Sequence, residues 1–337
     1  TWKDIFSDSF RKHSRAEFEF AITAGMRIGR TRSNMFDAWR KPWLWFAFLK
    51  WSIIFIVFIY AVNFILGSLG IVLLGLNSLN FILPAYVVTI AVMILLWELN
   101  VPRDISIFNM LAYFAVGVML LFNIYDTLEI MIGIPGSTFA PVIEEPAKLL
   151  ASVLLIVEAT KKNKQITGLK GLLIGAGVGA GFTGIESMQY VFQFTATQED
   201  AILLALMRSS LVGGHILYCA PYIAMLCFSY NKYPDWKGRL TDKGFLTAFG
   251  ISCLAHAAWN FFGDIAIGLV IEIPLVLYLL YVIKLCIRQV MSGGAYLNKN
   301  DAKVSFVQIQ CIQGSLYGRL WQIPISGRLT MGRDRGC

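Results

Sequence analysis

Glu144, Glu145 and Lys148 fall within five residues of one another in PVIEEPAKLL, at the head of a run that stays apolar to Val157. Further along, Glu186 lies in FTGIESMQY, Arg208 and His215 in RSSLVGGH, and His256 and Asn260 in HAAWN. Two adjacent carboxylates beside an ammonium are opposed influences on one another's protonation, which is what a general base or acid requires. A glutamate and a histidine could hold a water between them. Asn260 and the second histidine could donate to a developing oxyanion. Together these groups describe hydrolysis of a peptide bond, with no metal or other cofactor assigned.

The elements that carry them are membrane spans. The chain has 337 residues, 57% of them hydrophobic and 15% charged, whereas a soluble domain is nearer a quarter charged. Apolar stretches of about 20 residues recur from Leu44 to Cys286, the signature of transmembrane helices. The fold class expected is an all-α polytopic membrane protein with about eight spans, near 45–67, 81–98, 106–124, 141–160, 170–195, 202–229, 244–262 and 265–286. Lys and Arg crowd the N-terminal segment and the loops 161–170 and 231–243, while loops 68–80, 125–140, 196–201 and 263–264 carry none. The positive-inside rule then places both termini in the cytoplasm. Trp39, Trp43 and Trp45 beside Arg40 and Lys41 read as an interfacial anchor. The net charge of +8 is accounted for by cytoplasmic loops and calls for no nucleic acid.

Ionisable residues inside spans cost roughly 2.5–3.5 kcal/mol each on insertion scales. Glu144, Glu145, Lys148, Glu186, Arg208, His215, His256 and Glu272 all lie in the expected spans, so they must face one another or a wet cavity. Helical spacing supports this. Glu144 and Lys148 are four apart, as are Phe182, Glu186 and Tyr190 in succession, and His256 and Asn260; Arg208 and His215 are two turns apart. Counted at about 1.5 Å per residue, most of these groups lie in the outer half of the bilayer. Pro146 is expected in the first helical turn, where no intrahelical N–H is lost.

Other chemistries fit less well. No HExxH motif for a zinc protease occurs, and no GxSxG with a usable Ser–His pair. The six cysteines form no CxxC or zinc spacing. GAGVGAG at 175–181 sits inside an apolar span with no preceding strand, so it reads as a helix-packing surface rather than a dinucleotide loop. The competing functional class is a proton- or ion-coupled transporter, because Glu, His and Arg in spans also build relays. Inverted repeats and paired broken helices would mark one, and neither is visible. An inactive membrane scaffold is the third reading.

In this order and spacing, EEPAK, FTGIESMQY, RSSLVGGH and HAAWN resemble the PrsW family of bacterial membrane proteases, related to the CAAX prenyl endopeptidases and other glutamic intramembrane proteases. The resemblance covers about residues 90–290. It implies that Glu144 or Glu145, with a histidine, activates water, and that His256 and Asn260 lie near the oxyanion. Lys148, Arg208, Phe182 and Tyr190 are the supporting positions. Where CAAX-type relatives usually place a histidine, this chain has Glu186, which leaves the water-holding role open between His215 and His256. The resemblance further implies a bacterial cell membrane, a single-span membrane-protein substrate, and regulated proteolysis in signalling.

The chain therefore divides into a basic cytoplasmic segment (1–43), a transmembrane protease domain (44–288), a linker (289–303) and a tail (304–337). VSFVQIQCI, GRLWQIPI and GRLTMGRD in the tail read as short alternating strands with glycine turns. The stretch resembles the start of a forkhead-associated (FHA) domain, truncated before it can close a sandwich. Arg333 would then be the residue that helps hold a phosphothreonine partner.

Overall fold

The computed structural model describes residues 6–24, 41–71, 73–100, 105–120, 139–161, 166–194, 200–201, 203–205, 208, 214–262 and 265–291. All of them belong to one compact unit ending at Ala295. The tail at 304–337, with Arg333 and the expected strands, lies outside the described residues.

Among the described residues the secondary structure is helical. A short helix, α1 (Arg15–Ile22), precedes α2 (Leu44–Ser68), α3 (Leu74–Glu98), α4 (Ile107–Leu120), α5 (Pro141–Lys161), α6 (Gly168–Phe194) and α7 (His215–Ser229). The small α8 (Trp236–Leu240) then leads to α9 (Lys243–Phe262) and α10 (Ile265–Met291). Seven of the eight expected spans match a helix over their described residues; 202–229, which α7 covers only from His215, is the exception. Five helical segments are long and apolar enough to cross a membrane: 44–68, 78–98, 168–193, 243–262 and 270–290. The described parts of α4 and α7 are shorter apolar helices, and α5 carries the charged cluster. Over its described residues the chain is thus an all-α, multi-pass membrane protein.

Helix α6 is the hub. It packs on α7 most extensively, and on α4, α3, α5 and α10. Glycines make this possible on two sides. A methyl added at Gly179 would sit 2.6 Å from the His215 carbonyl oxygen, and one at Gly175 would sit 2.8 Å from the Ala220 Cα. Gly177 and Gly181 face α4 in the same way, against Tyr113 and Phe114. The GAGVGAG run is therefore a two-sided packing surface, as small residues in membrane helices allow. Phe182, Val178 and Ile174 on α6 join Cys219, Tyr222, Ile223 and Leu226 on α7 in the main apolar core. The described cysteines, 219, 227, 253 and 286, are unpaired, and three of them are buried.

The N-terminal segment is tied to the start of α2, which is in turn tied to the end of α3. The Glu98 carboxylate at the end of α3 accepts from the backbone N–H groups of Trp43, Leu44 and Trp45, at 2.8, 2.8 and 3.0 Å. It caps α2 from 55 residues away, satisfying donors that a helix start leaves open. His13 stacks on Trp43 with ring centroids 3.7 Å apart, and the Ser9 hydroxyl donates to the Pro42 carbonyl at 2.9 Å.

Two expectations need correction. Residues 202–229 do not form one continuous helix: α7 starts at His215, and Gly214 before it has φ +52°. Only glycine takes that left-handed conformation without steric cost, so Arg208 and His215 do not share a face of one helix. Pro146 is not in the first turn either. It is the sixth residue of α5, inside the helix, where its missing N–H leaves the Val142 carbonyl without its usual donor.

Candidate active site

Lys148 is the centre of the polar cluster and has no exposed surface. Glu145 precedes it by three residues and Glu144 by four, so both carboxylates reach one ammonium from the turn below. Lys148 Nζ donates to Glu145 Oε1 at 2.7 Å and to Glu144 Oε2 at 3.4 Å. Its third short contact, at 2.7 Å, is His215 Nδ1 from α7. The ammonium also lies 4.3 Å from the centroid of the Phe182 ring, a cation–π contact from α6.

Both ends of this link continue. His215 Nε2 lies 2.6 Å from Glu186 Oε2, which also takes Arg208 Nη2 at 2.9 Å. Since Lys148 donates to Nδ1, the network assigns the ring proton of His215 to Nε2, pointing at Glu186. On the other side, His256 Nδ1 lies 2.9 Å from Glu145 Oε1, and Tyr222 donates to Glu145 Oε2 at 3.2 Å. The carboxylate at 145 makes His256 Nδ1 the donor and leaves Nε2 as an acceptor. One chain of contacts thus runs Arg208, Glu186, His215, Lys148, Glu145, His256, across α6, α7, α5 and α9.

Glu145 and Glu144 differ in this network. Glu145 is engaged by a lysine, an imidazole and a phenol. Glu144 has its one short link to Lys148 at 3.4 Å, and its Oε2 stands 3.9 Å from His215 Nδ1 and 3.7 Å from His256 Nε2. A water touching both Glu144 and His256 at roughly 2.8 Å fits beside a 3.7 Å gap.

The imidazoles are held firmly. The Thr183 hydroxyl accepts from the His215 backbone N–H at 2.8 Å and donates to the Gly179 carbonyl at 2.9 Å. The first N–H of α7 is thereby tied to α6 at the point where Gly179 permits close approach. The Tyr218 ring stacks on His256, with centroids 4.7 Å apart and planes 7° from parallel. Ser252, one turn before His256, donates to the Tyr218 carbonyl at 2.8 Å. The two imidazole centroids are 4.8 Å apart.

Beside the imidazoles lies a cavity lined by Thr183, Glu186, Arg208, Gly214, His215, Tyr218, His256, Trp259, Asn260 and Glu272. Asn260 therefore faces the same space as His256, one turn away. The Arg208 guanidinium sits 3.6 Å from the Tyr190 ring centroid. The structure brings Glu144, Glu145, Lys148, Phe182, Glu186, Arg208, His215 and His256 into one connected site, with Tyr190 and Asn260 at its edge. Thr183, Tyr218, Tyr222 and Trp259 were not singled out from the sequence. Tyr218 and Tyr222 follow His215 by three and seven residues, the helical spacing that could have flagged them. Glu272 stood out as a charge in a span but was given no role.

Glu144, Glu145, His215 and His256 could also serve as metal ligands: one donor atom from each lies within 4.8 Å of the others. Donor types and mutual distances suit a divalent cation bound by nitrogen and oxygen. The position of Lys148 does not. Its ammonium already takes His215 Nδ1 and Glu145 Oε1 at 2.7 Å, so two of the four donors are spent on a positive charge that would also repel a bound cation. With the side chains as arranged, the site does not fit a metal.

A buried carboxylate–ammonium–imidazole cluster thus lies beside a cavity inside a bundle of membrane helices, an arrangement of the kind an intramembrane hydrolase needs. Residues 40–287 match the PrsW family of intramembrane metalloproteases, and the chain belongs to that family. Intramembrane peptidase activity on membrane-protein substrates follows from this membership. The match ends before the tail, so the FHA-like reading of 304–337 and its phosphothreonine partner gain no support from it. No curated protein and no solved structure matches the chain significantly.

Proposed function

We propose that the protein hydrolyses a peptide bond of a single-span membrane protein, using Glu144 as the base that activates water. The observation that carries this is the contrast between the two glutamates: Glu145 is fully engaged, whereas Glu144 Oε2 faces two imidazole nitrogens at 3.7 and 3.9 Å. A water beside Glu144 and His256 Nε2 gives its proton to Glu144, and its oxygen attacks the scissile carbonyl carbon. The resulting oxyanion takes a hydrogen bond from the Asn260 side-chain amide on the cavity wall. Collapse of the tetrahedral intermediate breaks the C–N bond, and the proton held by Glu144 passes to the leaving amine.

In this reading Glu145 and Lys148 orient the imidazoles, and Glu186 fixes the tautomer of His215. In the same reading His256, whose Nε2 lies 3.7 Å from Glu144 Oε2, is the water-holding histidine and His215 the supporting one. Eight spans with both termini in the cytoplasm place the cluster in the outer half of the bilayer. A bacterial membrane and a role in regulated proteolysis are the setting that the family resemblance suggests.

A metal-dependent reaction is the second reading. It is favoured by the four clustered donors and requires Lys148 to leave His215. The experiment is cleavage of a single-span substrate by purified protein in lipid, wild type beside Glu144→Gln. Loss of turnover by at least about a hundredfold in the variant is expected, in line with removal of a general base. Near wild-type turnover would sink the mechanism.

A further inference from the structure

Glu272 on α10 is only 5% exposed, and its Oε2 has no hydrogen-bond partner. It lines the same cavity as His215, His256 and Asn260. The other acid on that wall, Glu186, is engaged by both Arg208 and His215. An unpartnered carboxyl inside a membrane bundle is costly and adds nothing to packing. The cavity also holds an unspent donor, since Arg208 Nε, buried beside the Tyr190 ring, has no partner either. One acceptor and one donor are thus left over around one space.

The chemistry of the ligand follows from that pair. A helix offers neither group, because its N–H and C=O groups are bonded internally. An unwound peptide offers both, in alternation, and must find partners for them away from water. A lysine or arginine side chain would use Glu272 but leave Arg208 Nε unpaired. We propose that Glu272 is a substrate-binding residue that accepts a backbone N–H from the unwound segment of the substrate, with Arg208 Nε donating to a carbonyl of the same segment. This rests on the protease reading above and deepens it. The unwound segment would lie against the wall that carries His256 and Asn260, and the cavity, about 20 Å³ as it stands, would have to widen to admit it.

The test uses the full chain in lipid nanodiscs with a single-span substrate. Glu272→Leu should raise KM about tenfold, the worth of one well-made hydrogen bond, with kcat within about twofold and no fall in Tm. Glu272→Gln, whose amide oxygen still accepts, should recover most of the affinity. A lowered Tm with unchanged KM would make Glu272 structural and overturn the proposal. So would a Gln variant as poor as Leu whose defect disappears on substrates lacking Lys and Arg, since that marks a side-chain site. Capture of uncleaved substrate by Glu144→Gln, against Glu144→Gln/Glu272→Leu, needs no turnover. About tenfold weaker capture by the double variant supports the proposal. Equal capture overturns it, even where wild type cleaves nothing and the protease reading itself fails.

Discussion

Glu145→Gln should unfold the site, whereas Glu144→Gln should leave it standing. Glu145 Oε1 takes the fully buried Lys148 ammonium at 2.7 Å and His256 at 2.9 Å. Removing its charge leaves the Lys148 cation with only the longer Glu144 contact at 3.4 Å, and breaking such a buried pair costs about 3–5 kcal/mol. Glu144 touches Lys148 at 3.4 Å, a marginal hydrogen bond whose loss should cost roughly 1 kcal/mol. At about 2–4 °C per kcal/mol for a domain of this size, the Gln variants should lose roughly 6–20 °C at position 145 and 2–4 °C at 144. Tryptophan fluorescence during thermal unfolding in mild detergent reads both. A double variant, Glu145→Gln/Lys148→Met, removes charge and counter-charge together and should be less destabilised than Glu145→Gln alone. Equal losses at 144 and 145, or no recovery in the double variant, would refute the division of labour between the two glutamates.

Gly179→Ala places a methyl 2.6 Å from the His215 carbonyl oxygen; it should push α7 off α6, lengthen the His215–Glu186 contact and lower turnover by at least about tenfold, read by cleavage rate beside a Gly67→Ala control, where a methyl meets nothing within 4 Å. Purified protein should carry far less than one equivalent of zinc by elemental analysis and keep its activity in chelator; stoichiometric metal, with activity lost on chelation and restored by zinc, would move Lys148 out of the proposed mechanism. Mass spectrometry of products should place the cut near the extracytoplasmic end of the substrate span; clustering at the cytoplasmic end would contradict the orientation read from the basic loops.

The sequence carried the polar stripes and little of their relation to one another. Periodicity puts Glu144 with Lys148, and Phe182 with Glu186, because such pairs depend only on the 3.6-residue repeat. It cannot say that Lys148 would reach His215 on another helix, since that depends on how α5 and α7 rotate about their axes. The Gly213–Gly214 pair before His215 was the available sign of a helix start; the surrounding apolar run masked it. Pro146 was placed one turn too early because the charged residues read as the helix opening, although α5 begins at Pro141, where the expected span also begins. Glu98, acidic at the end of a span, carried no local sign of the three amides it caps 53–55 residues away.

The glycine-lined α6 has a consequence for how the protein is made. Of its apolar window, 89% is buried within the bundle, against 6% for α2. Helix α2 leaves most of its apolar surface uncovered by the rest of the chain, so lipid would be a suitable first neighbour for it. Helix α6 instead bares glycine backbone on two faces and carries Glu186, so lipid is a poor first neighbour for it. Its partners come from both directions along the chain: α3, α4 and α5 are synthesised before it, and α7 and α10 after it. A nascent chain that ends at α6 would hold that helix half-wrapped, with Glu186 lacking both Arg208 and His215. The insertion machinery or a chaperone would have to shelter it until α7 emerges. Truncated chains arrested between α6 and α7 should accordingly be the ones that quality-control proteases remove fastest.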